Sequence, residues 1–314
     1  MTPRRDEAFL DTAATLGRRL CRDALWAGDR CNWLGDSIEP VGGAWRVVHR
    51  VLGPELYGGT SGVALFLAAL HRLTGEAPFR RTAEGAMAHA ISRAEDIPPA
   101  LRIAFYSGWT GLAYVLATAG AAFDRADLVE RAYALIAAAA RDAGAEPGFD
   151  VMVGAAGAIP ALLSLQSRER PDDLMPIANR LGVHLVANAR KSDAGWSWKT
   201  LEGQTERDAT GFSHGVAGIA WALLELFAAT GNTRFRDAAE RGLRGDGVCH
   251  VAFSACFMRD VAVGQRASCR SAWPAGFHGR RGARDRRRPA VGQGHRDRQS
   301  ATGNAYRWWR SDQQ

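Results

Sequence analysis

The sequence predicts an all-α protein made of repeated helical hairpins, and three observations support this prediction. Four Gly-x-x-Gly pairs each precede an apolar segment of three to four helical turns; they begin at Gly59, Gly108, Gly154 and Gly215. Their spacings of 49, 46 and 61 residues are typical of a helical-hairpin array. The first and fourth copies share 11 identical residues in 26 positions at a constant offset of 156. Such units cannot bury an apolar face alone, so they must stack or close into a ring.

The elements follow in order along the chain. A first helix is predicted over residues 6–27, and a loop containing Cys31-Asn-Trp-Leu-Gly35 leads to the first repeat. The four hairpins are predicted at 59–96, 106–143, 154–189 and 215–244, with a long polar loop over 191–210. Their first helices should line a common interior, with four leucines buried on them: Leu67, Leu116, Leu163 and Leu223.

The residue before the first glycine of each repeat distinguishes the four copies. It is Gly58, Ser107, Val153 and His214 in turn, so only the fourth copy carries an ionisable group there. A histidine before a helix often only satisfies a local hydrogen bond. Because three copies do without histidine, the fold does not require it, and this comparison favours a functional role for His214.

Composition limits the class of protein. A chain of 314 residues is long enough for one large core or two modest ones. Residues 1–30 are charged throughout and show no signal-peptide pattern, and the longest uncharged run, 103–123, fits a buried repeat helix better than a membrane span. Five irregularly spaced cysteines argue against a disulfide framework. These features predict a soluble, cytoplasmic protein.

The basic charge of the chain is concentrated in residues 245–314. This segment has 13 Arg and 5 Asp, whereas residues 1–244 have 27 basic and 28 acidic side chains. It also lacks Leu, Ile, Glu and Lys. The sequence therefore predicts a repeat domain over 1–244 and a disordered Arg-rich tail over 245–314, of the composition that a reading-frame change in GC-rich coding sequence produces. The alternative is a basic arm for nucleic acid, but such arms mix Lys with Arg, so no nucleic-acid partner is expected.

Three motifs in register resemble the lanthionine synthetase C-like cyclase family. They are Tyr57-Gly-Gly-Thr-Ser-Gly62, Asp150-Val-Met-Val-Gly-Ala-Ala-Gly157 and Thr210-Gly-Phe-Ser-His-Gly-Val-Ala-Gly218, and the segment from Cys31 to Gly35 also matches. The resemblance implies an α/α toroid of seven helical hairpins, of which this chain would hold about four. It also implies a zinc-dependent cyclase that joins a cysteine of a precursor peptide to a dehydrated Ser or Thr, giving a thioether.

The resemblance assigns roles to residues that match the family motifs. His214 matches the catalytic histidine and Asp150 the catalytic aspartate, and both should open onto the same face. The structural alternative for Asp150 is a loop or N-cap carboxylate beside the Gly154 turn. The family's zinc ligands should lie beyond residue 244, where Cys249 and His250 are only weak candidates, since two adjacent residues cannot complete a tetrahedral shell. Zinc is thus expected for the family but not for this chain.

Three functions remain as alternatives at this stage. The first is a thioether cyclase by descent, truncated and inactive because the zinc-ligand repeats are missing. The second is a catalytically silent toroid that binds a peptide or a thiol. The third is a carbohydrate enzyme on the same architecture, which requires two opposed carboxylates and leaves the histidine motif without a role.

Overall fold

The computed structural model describes residues 5–141, 146–166, 174–201 and 208–244, and these are mainly helical. The helices within these ranges are α1 (Arg5–Asp23), α2 (Thr60–Thr74), α3 (Ala77–Ser92), α4 (Trp109–Phe123), α5 (Ala126–Arg141), α6 (Ala155–Gln166), α7 (Met175–Ala187), α8 (Val216–Thr230) and α9 (Thr233–Leu243). The strands form three antiparallel pairs: β1 (Leu25–Ala27) with β2 (Arg30–Asn32), β3 (Leu34–Val41) with β4 (Ala44–Val51), and β5 (Arg190–Ser192) with β6 (Gly195–Ser197). The all-α prediction is confirmed in its main feature, and the strand pairs are additions to it.

Four helical hairpins follow one another, as the repeats predict. Helix α2 packs on α3, α4 on α5, α6 on α7 and α8 on α9. The first helices also contact each other in series, α2 with α4, α4 with α6 and α6 with α8. A single apolar cluster runs through all four hairpins and includes the fully buried Leu67, Leu116 and Leu223. The hairpins therefore share one continuous core, to which every first helix contributes.

The repeat glycines are required by close approach of backbone to backbone. A Cβ atom on the second glycine of each pair would overlap a carbonyl oxygen six residues earlier, as for Gly157 with Val151 and Gly218 with Phe212. A Cβ atom on the first glycine would likewise overlap backbone atoms of its own loop. The loops can thus fold tightly over the start of the helix only if these positions lack a side chain.

The turns inside the first, second and fourth hairpins are also set by local sequence. Gly75 and Gly231 follow α2 and α8 with φ of 73° and 70°, and their amides donate to the last turn of the helix. Asp124 takes the same left-handed conformation after α4, with φ of 56°. These residues end the first helices as αL caps and turn the chain back on itself.

Three predictions are corrected by the structure. Helix α1 ends at Asp23 rather than 27, because the chain turns at Gly28 (φ 65°) and pairs as β1 and β2. Residues 34–51 were predicted as a loop but form the β3–β4 hairpin, whose Gly42-Gly43 turn has positive φ at both residues. Leu163 is only partly buried, because the position equivalent to Leu67 is its neighbour Leu162, which is fully buried.

The remaining predictions concern residues 245–314 and membrane-spanning helices. Residues 245–314, with Cys249 and His250, lie outside the described residues, so the domain boundary at 244 and the character of the tail stay predictions. Within the described ranges, the helices are all too short or too polar to cross a lipid bilayer.

Candidate active site

The loops that precede the four first helices share one backbone arrangement. In each loop, the first amide of the helix donates a hydrogen bond to the carbonyl oxygen seven residues earlier. The pairs are Thr60 to Gly53 (2.8 Å), Trp109 to Arg102 (2.7 Å), Ala155 to Gly148 (2.8 Å) and Val216 to Ala209 (3.0 Å). The residue before each repeat glycine is therefore held in an equivalent position in all four hairpins.

These four equivalent positions line a single cavity. Gly58, Ser107, Val153 and His214 all contribute to its wall, and its volume is about 730 Å³. This volume is within the range of cavities that hold small ligands or a few peptide residues. The cavity lies at the loop end of the first helices, where the sequence places His214.

Hydrogen bonds join each of these loops to the next and so fix the cavity wall. The Tyr57 amide donates to the Tyr106 carbonyl (2.9 Å), the Ser107 hydroxyl to the Met152 carbonyl (3.0 Å) and the Val151 amide to the Ser213 carbonyl (3.1 Å). The series runs from the first hairpin to the fourth without a gap. The site is thus a rim of linked loops on a rigid set of helices.

Asp150 and His214 come together on this rim. Oδ2 of Asp150 lies 2.7 Å from Nδ1 of His214, and Oδ1 of Asp150 accepts a hydrogen bond from the Val153 amide at 2.7 Å. The Asp150 side chain is 1% exposed, whereas that of His214 is 43% exposed. One carboxylate oxygen therefore holds the loop, and the other holds the histidine. The structural and functional interpretations of Asp150 apply to different oxygens of the same side chain.

The hydrogen bond to Asp150 determines which nitrogen of His214 is available. Because Nδ1 donates to the carboxylate, Nε2 is the nitrogen left for the cavity, and the described residues provide it with no hydrogen-bond partner. A histidine oriented in this way by a buried carboxylate is the usual arrangement for a side chain that accepts or donates a proton. The pair therefore has the geometry for acid–base chemistry on a molecule in the cavity.

The segment 191–210, predicted as a polar loop, contacts the backbone of His214. Residues 190–197 form the short β5–β6 pair, and Trp198 is fully buried, with its indole N–H donating to the Leu185 carbonyl at 2.7 Å. Two residues later, the Thr200 hydroxyl donates to the carbonyl of His214. Trp198 thus fixes the segment that carries Thr200, and Thr200 in turn holds the backbone of His214.

A second histidine, His89, lines the cavity through a hydrogen-bond network around Asn32. The Asn32 side chain accepts from the Leu52 amide (3.0 Å) and donates to the Leu52 carbonyl (3.0 Å), which fixes the orientation of its amide group. The same NH₂ group lies 2.9 Å from Nε2 of His89, so Nε2 acts as the acceptor. Nδ1 of His89 then faces the Thr60 hydroxyl at 3.0 Å.

Both ring nitrogens of His89 are consequently occupied, in contrast to those of His214. Burial, together with the positive charges of Arg93 and Arg30, lowers the pKa of His89 below its usual value. The neutral ring connects Asn32 at the end of β2 and Thr60 at the start of α2 to the last turn of α3. His89 is therefore a structural part of the cavity wall, and the sequence pattern gave no signal for it beyond the resemblance of the segment that contains Asn32.

The described residues offer little for a metal ion. They contain no group of three or more His, Cys, Asp or Glu side chains placed to bind one. Cys31 is 1% exposed, and burial raises the pKa of its thiol to about 12, so its thiolate is strongly disfavoured. The weak candidates Cys249 and His250 are outside the described residues. A zinc shell does not fit the residues whose positions are known.

A comparison with known families gives a match that covers the four hairpins. A family model described as lanthionine synthetase C-like protein matches residues 50–244, from the end of β4 to the end of α9. The chain belongs to this family. A comparison with curated proteins gives no match. The lanthionine synthetase C-like region thus contains all four helical hairpins, and both His214 and Asp150 lie within it.

Proposed function

We propose that this lanthionine synthetase C-like chain binds a peptide with a dehydrated Ser or Thr in its cavity, and that His214 and Asp150 transfer protons to and from it. The observation that supports the proposal is the 2.7 Å contact between Nδ1 of His214 and the buried Asp150 carboxylate. It leaves Nε2 as the one reactive ring atom at the cavity. The four hairpins would form part of an α/α toroid, as in the family that the chain resembles.

The reaction implied by the family requires a proton at a defined carbon atom. The sulfur of a peptide thiolate forms a bond to the β-carbon of the dehydro residue, and the π electrons of the C=C bond move to give an enolate. The α-carbon of the enolate then takes a proton from the Nε2–H of His214. The thiol releases its proton to solvent, and Nε2 takes up one proton from solvent after each transfer, so atoms and charges balance over one cycle. Asp150 stabilises the imidazolium and keeps its ring orientation.

The thiol must first lose its proton, and the described residues do not account for that step. A peptide thiol with a reference pKa near 8.5 is mostly protonated at neutral pH. In the family, zinc supplies the thiolate. Because a zinc shell does not fit the described residues, no step through zinc is proposed for this chain. We therefore propose peptide binding and proton transfer, with ring formation limited by the small amount of free thiolate.

A second candidate is a catalytically silent protein that binds a peptide or a thiol. The hydrogen bond from the Val153 amide to Oδ1 of Asp150 favours this candidate, because it gives the carboxylate a structural role. In this case His214 would be a structural residue of the cavity wall and would transfer no proton. The two candidates predict different effects of removing the His214 imidazole. If His214 transfers protons, ring formation becomes slower. If the protein only binds the peptide, the rate of ring formation does not change.

A selenocysteine-containing peptide separates the candidates without a metal. A selenol is largely deprotonated at neutral pH, so the step that zinc would supply is already complete. In buffer with a chelator, we expect the wild-type chain to accelerate ring formation, and His214→Asn to lose about 100-fold of that acceleration. The asparagine amide can still donate to Asp150, so the variant should fold normally. Equal rates for the wild type, His214→Asn and buffer alone would support the silent binder instead.

A further inference from the structure

Glu55 occupies, in the loop of the first hairpin, the position that Asp150 occupies in the loop of the third. Asp150 lies four residues before the repeat glycine Gly154, and Glu55 lies four residues before Gly59. The other two hairpins have Ala104 and Gly211 at this position, neither of which carries charge. The equivalent loops thus bring two acidic side chains to one rim, and Glu55 contributes directly to the cavity wall.

The loop around Glu55 leaves space for its carboxylate. A Cβ atom on Gly53 would overlap the Glu55 carboxylate, with the Cδ atom of Glu55 at 2.9 Å, and a Cβ atom on Gly58 would lie 3.4 Å from Oε1. The side chain therefore lies over its own loop, between two glycines, in a half-buried position. Glycine at 53 is what permits this placement.

The two arginines that line the cavity together with Glu55, Arg50 and Arg93, have other partners. Arg50 is bonded to Glu39, and Arg93 forms a 2.6 Å ion pair with Asp96. A hydrogen bond from Arg50 to Glu39, and to a smaller degree the charge of Glu55, raises the pKa of Arg50. Within the described residues, Glu55 itself forms no ion pair or hydrogen bond through its carboxylate. An acidic group at the edge of a cavity, without a partner of its own, is suited to bind a cation of the ligand.

We propose that Glu55 determines specificity at this site and selects peptides that carry Lys or Arg near the dehydrated residue. The inference rests on the proposed function, since it concerns the peptide that the same cavity binds. His214, held by Asp150, would face the reacting residue, while Glu55, on the loop of the first hairpin, would bind a basic side chain close to it in sequence. The position of the basic residue then selects which dehydrated residue is presented to His214.

Binding of labelled peptides to the full chain tests this directly. The probes are peptides with one dehydroalanine that differ at a single neighbouring residue, Lys or norleucine, and affinity is measured by fluorescence anisotropy. We expect the wild type to bind the lysine peptide about 10-fold more tightly. Glu55→Gln should lose this preference and bind the norleucine peptide unchanged. Glu240→Gln on α9, outside the cavity wall, is the matched control and should keep the preference.

A second variant separates the position of the carboxylate from its charge. Gly53→Ala retains Glu55, but its methyl group would displace the flexible end of that side chain. We expect it to weaken the lysine preference although the net charge is unchanged. If Glu55 serves only to balance Arg50, both Glu55→Gln and Gly53→Ala will keep the wild-type preference, and the inference is wrong. A wild type with no preference overturns it as well.

The outcomes also separate this inference from the proposed function. Equal binding of both peptides to the wild type and Glu55→Gln, with a rate that depends on His214, would reject Glu55 and leave the proton-transfer pair. A lysine preference that disappears in Glu55→Gln, with no effect of His214→Asn on any rate, would support Glu55 in a silent binding protein.

Discussion

Asp150 and His214 are separated by 64 residues and belong to consecutive hairpins, yet Oδ2 of one lies 2.7 Å from Nδ1 of the other. The contact forms because a hydrogen bond from the Val151 amide to the Ser213 carbonyl joins the third and fourth loops. Val151 follows Asp150 and Ser213 precedes His214 in the chain. The buried end of the pair is thus fixed by backbone hydrogen bonds, and the exposed end is a histidine nitrogen at the cavity.

Asp150→Asn should reverse the tautomer of His214 while preserving the fold. The amide oxygen can still accept from Val153, but the NH₂ group then faces Nδ1 and turns it into an acceptor. Nε2 would carry the proton in the neutral ring, so it could no longer accept one. We expect ¹⁵N NMR of the imidazole to show the change, together with a rate loss in the selenopeptide reaction that approaches that of His214→Asn. An unchanged tautomer would show that Asp150 does not orient the ring.

The glycine before the second turn of α8 should be intolerant of substitution. In Gly218→Ala, the methyl group would overlap the Phe212 carbonyl and lie 2.5 Å from Val151. Since backbone must move, we expect a loss of about 1–3 kcal/mol in the free energy of unfolding. Gly211→Ala is the matched control, because a Cβ atom there meets nothing within 4 Å, and its effect should be within about 0.5 kcal/mol. Denaturant unfolding measures both, and equal effects would contradict the role given to the repeat glycines.

His89 should make the fold sensitive to mild acid. Because its pKa is lowered by burial and by nearby arginines, the folded state favours the neutral ring. Its contribution to stability is full above the unfolded-state pKa, near 6.5, and is lost as the pH falls below that value through the folded-state pKa. Thermal unfolding at pH 7.5 and pH 5 should show a larger acid-induced decrease for the wild type than for His89→Gln. The same decrease in both proteins would exclude His89 as the responsible group.

The two cysteines in the described region should differ in reactivity. Burial raises the pKa of both thiols, but Cys31 is fully buried and reaches about 12, while Cys21 remains partly accessible. Alkylation of the native chain, followed by peptide mass spectrometry, should modify Cys21 well before Cys31. Modification of Cys31 should require unfolding. Cys31 is buried because β2 packs against α3, with its thiol donating to the Thr82 carbonyl, and equal rates at the two positions would contradict this packing.

The hairpins could be predicted because glycine spacing and apolar periodicity are local signals. The comparison of the residues before each glycine also identified His214, since the repeats provide an internal reference for what the fold requires. Proximity of Asp150 and His214 followed from their shared position at the loop ends. The prediction for Leu163 is wrong by one residue, because the residue eight positions after the first repeat glycine, Gly154, is Leu162.

Other features depended on contacts that the sequence does not display. The β3–β4 hairpin had a turn signal in Gly42-Gly43, but Pro40 and the exposed, mixed side chains gave no clear strand pattern; the proline is tolerated because the strand lies at an edge. The network of Asn32 and His89 joins residues 57 positions apart through side-chain geometry alone. The equivalence of Glu55 and Asp150 is present in the repeat alignment, but the sequence does not show that Glu55 lines the cavity whereas Asp150 is buried behind His214.

The configuration of the product tests most directly the claim that His214 delivers a proton to the peptide. Ring closure creates a new stereocentre at the α-carbon, and a donor held on one side of the cavity must protonate one face. With the selenocysteine peptide and no metal, we expect mainly one epimer from the wild type, and from His214→Asn the same mixture as in buffer. Chromatographic separation of the epimers gives the ratio. A wild-type ratio equal to that of the uncatalysed reaction would contradict the account.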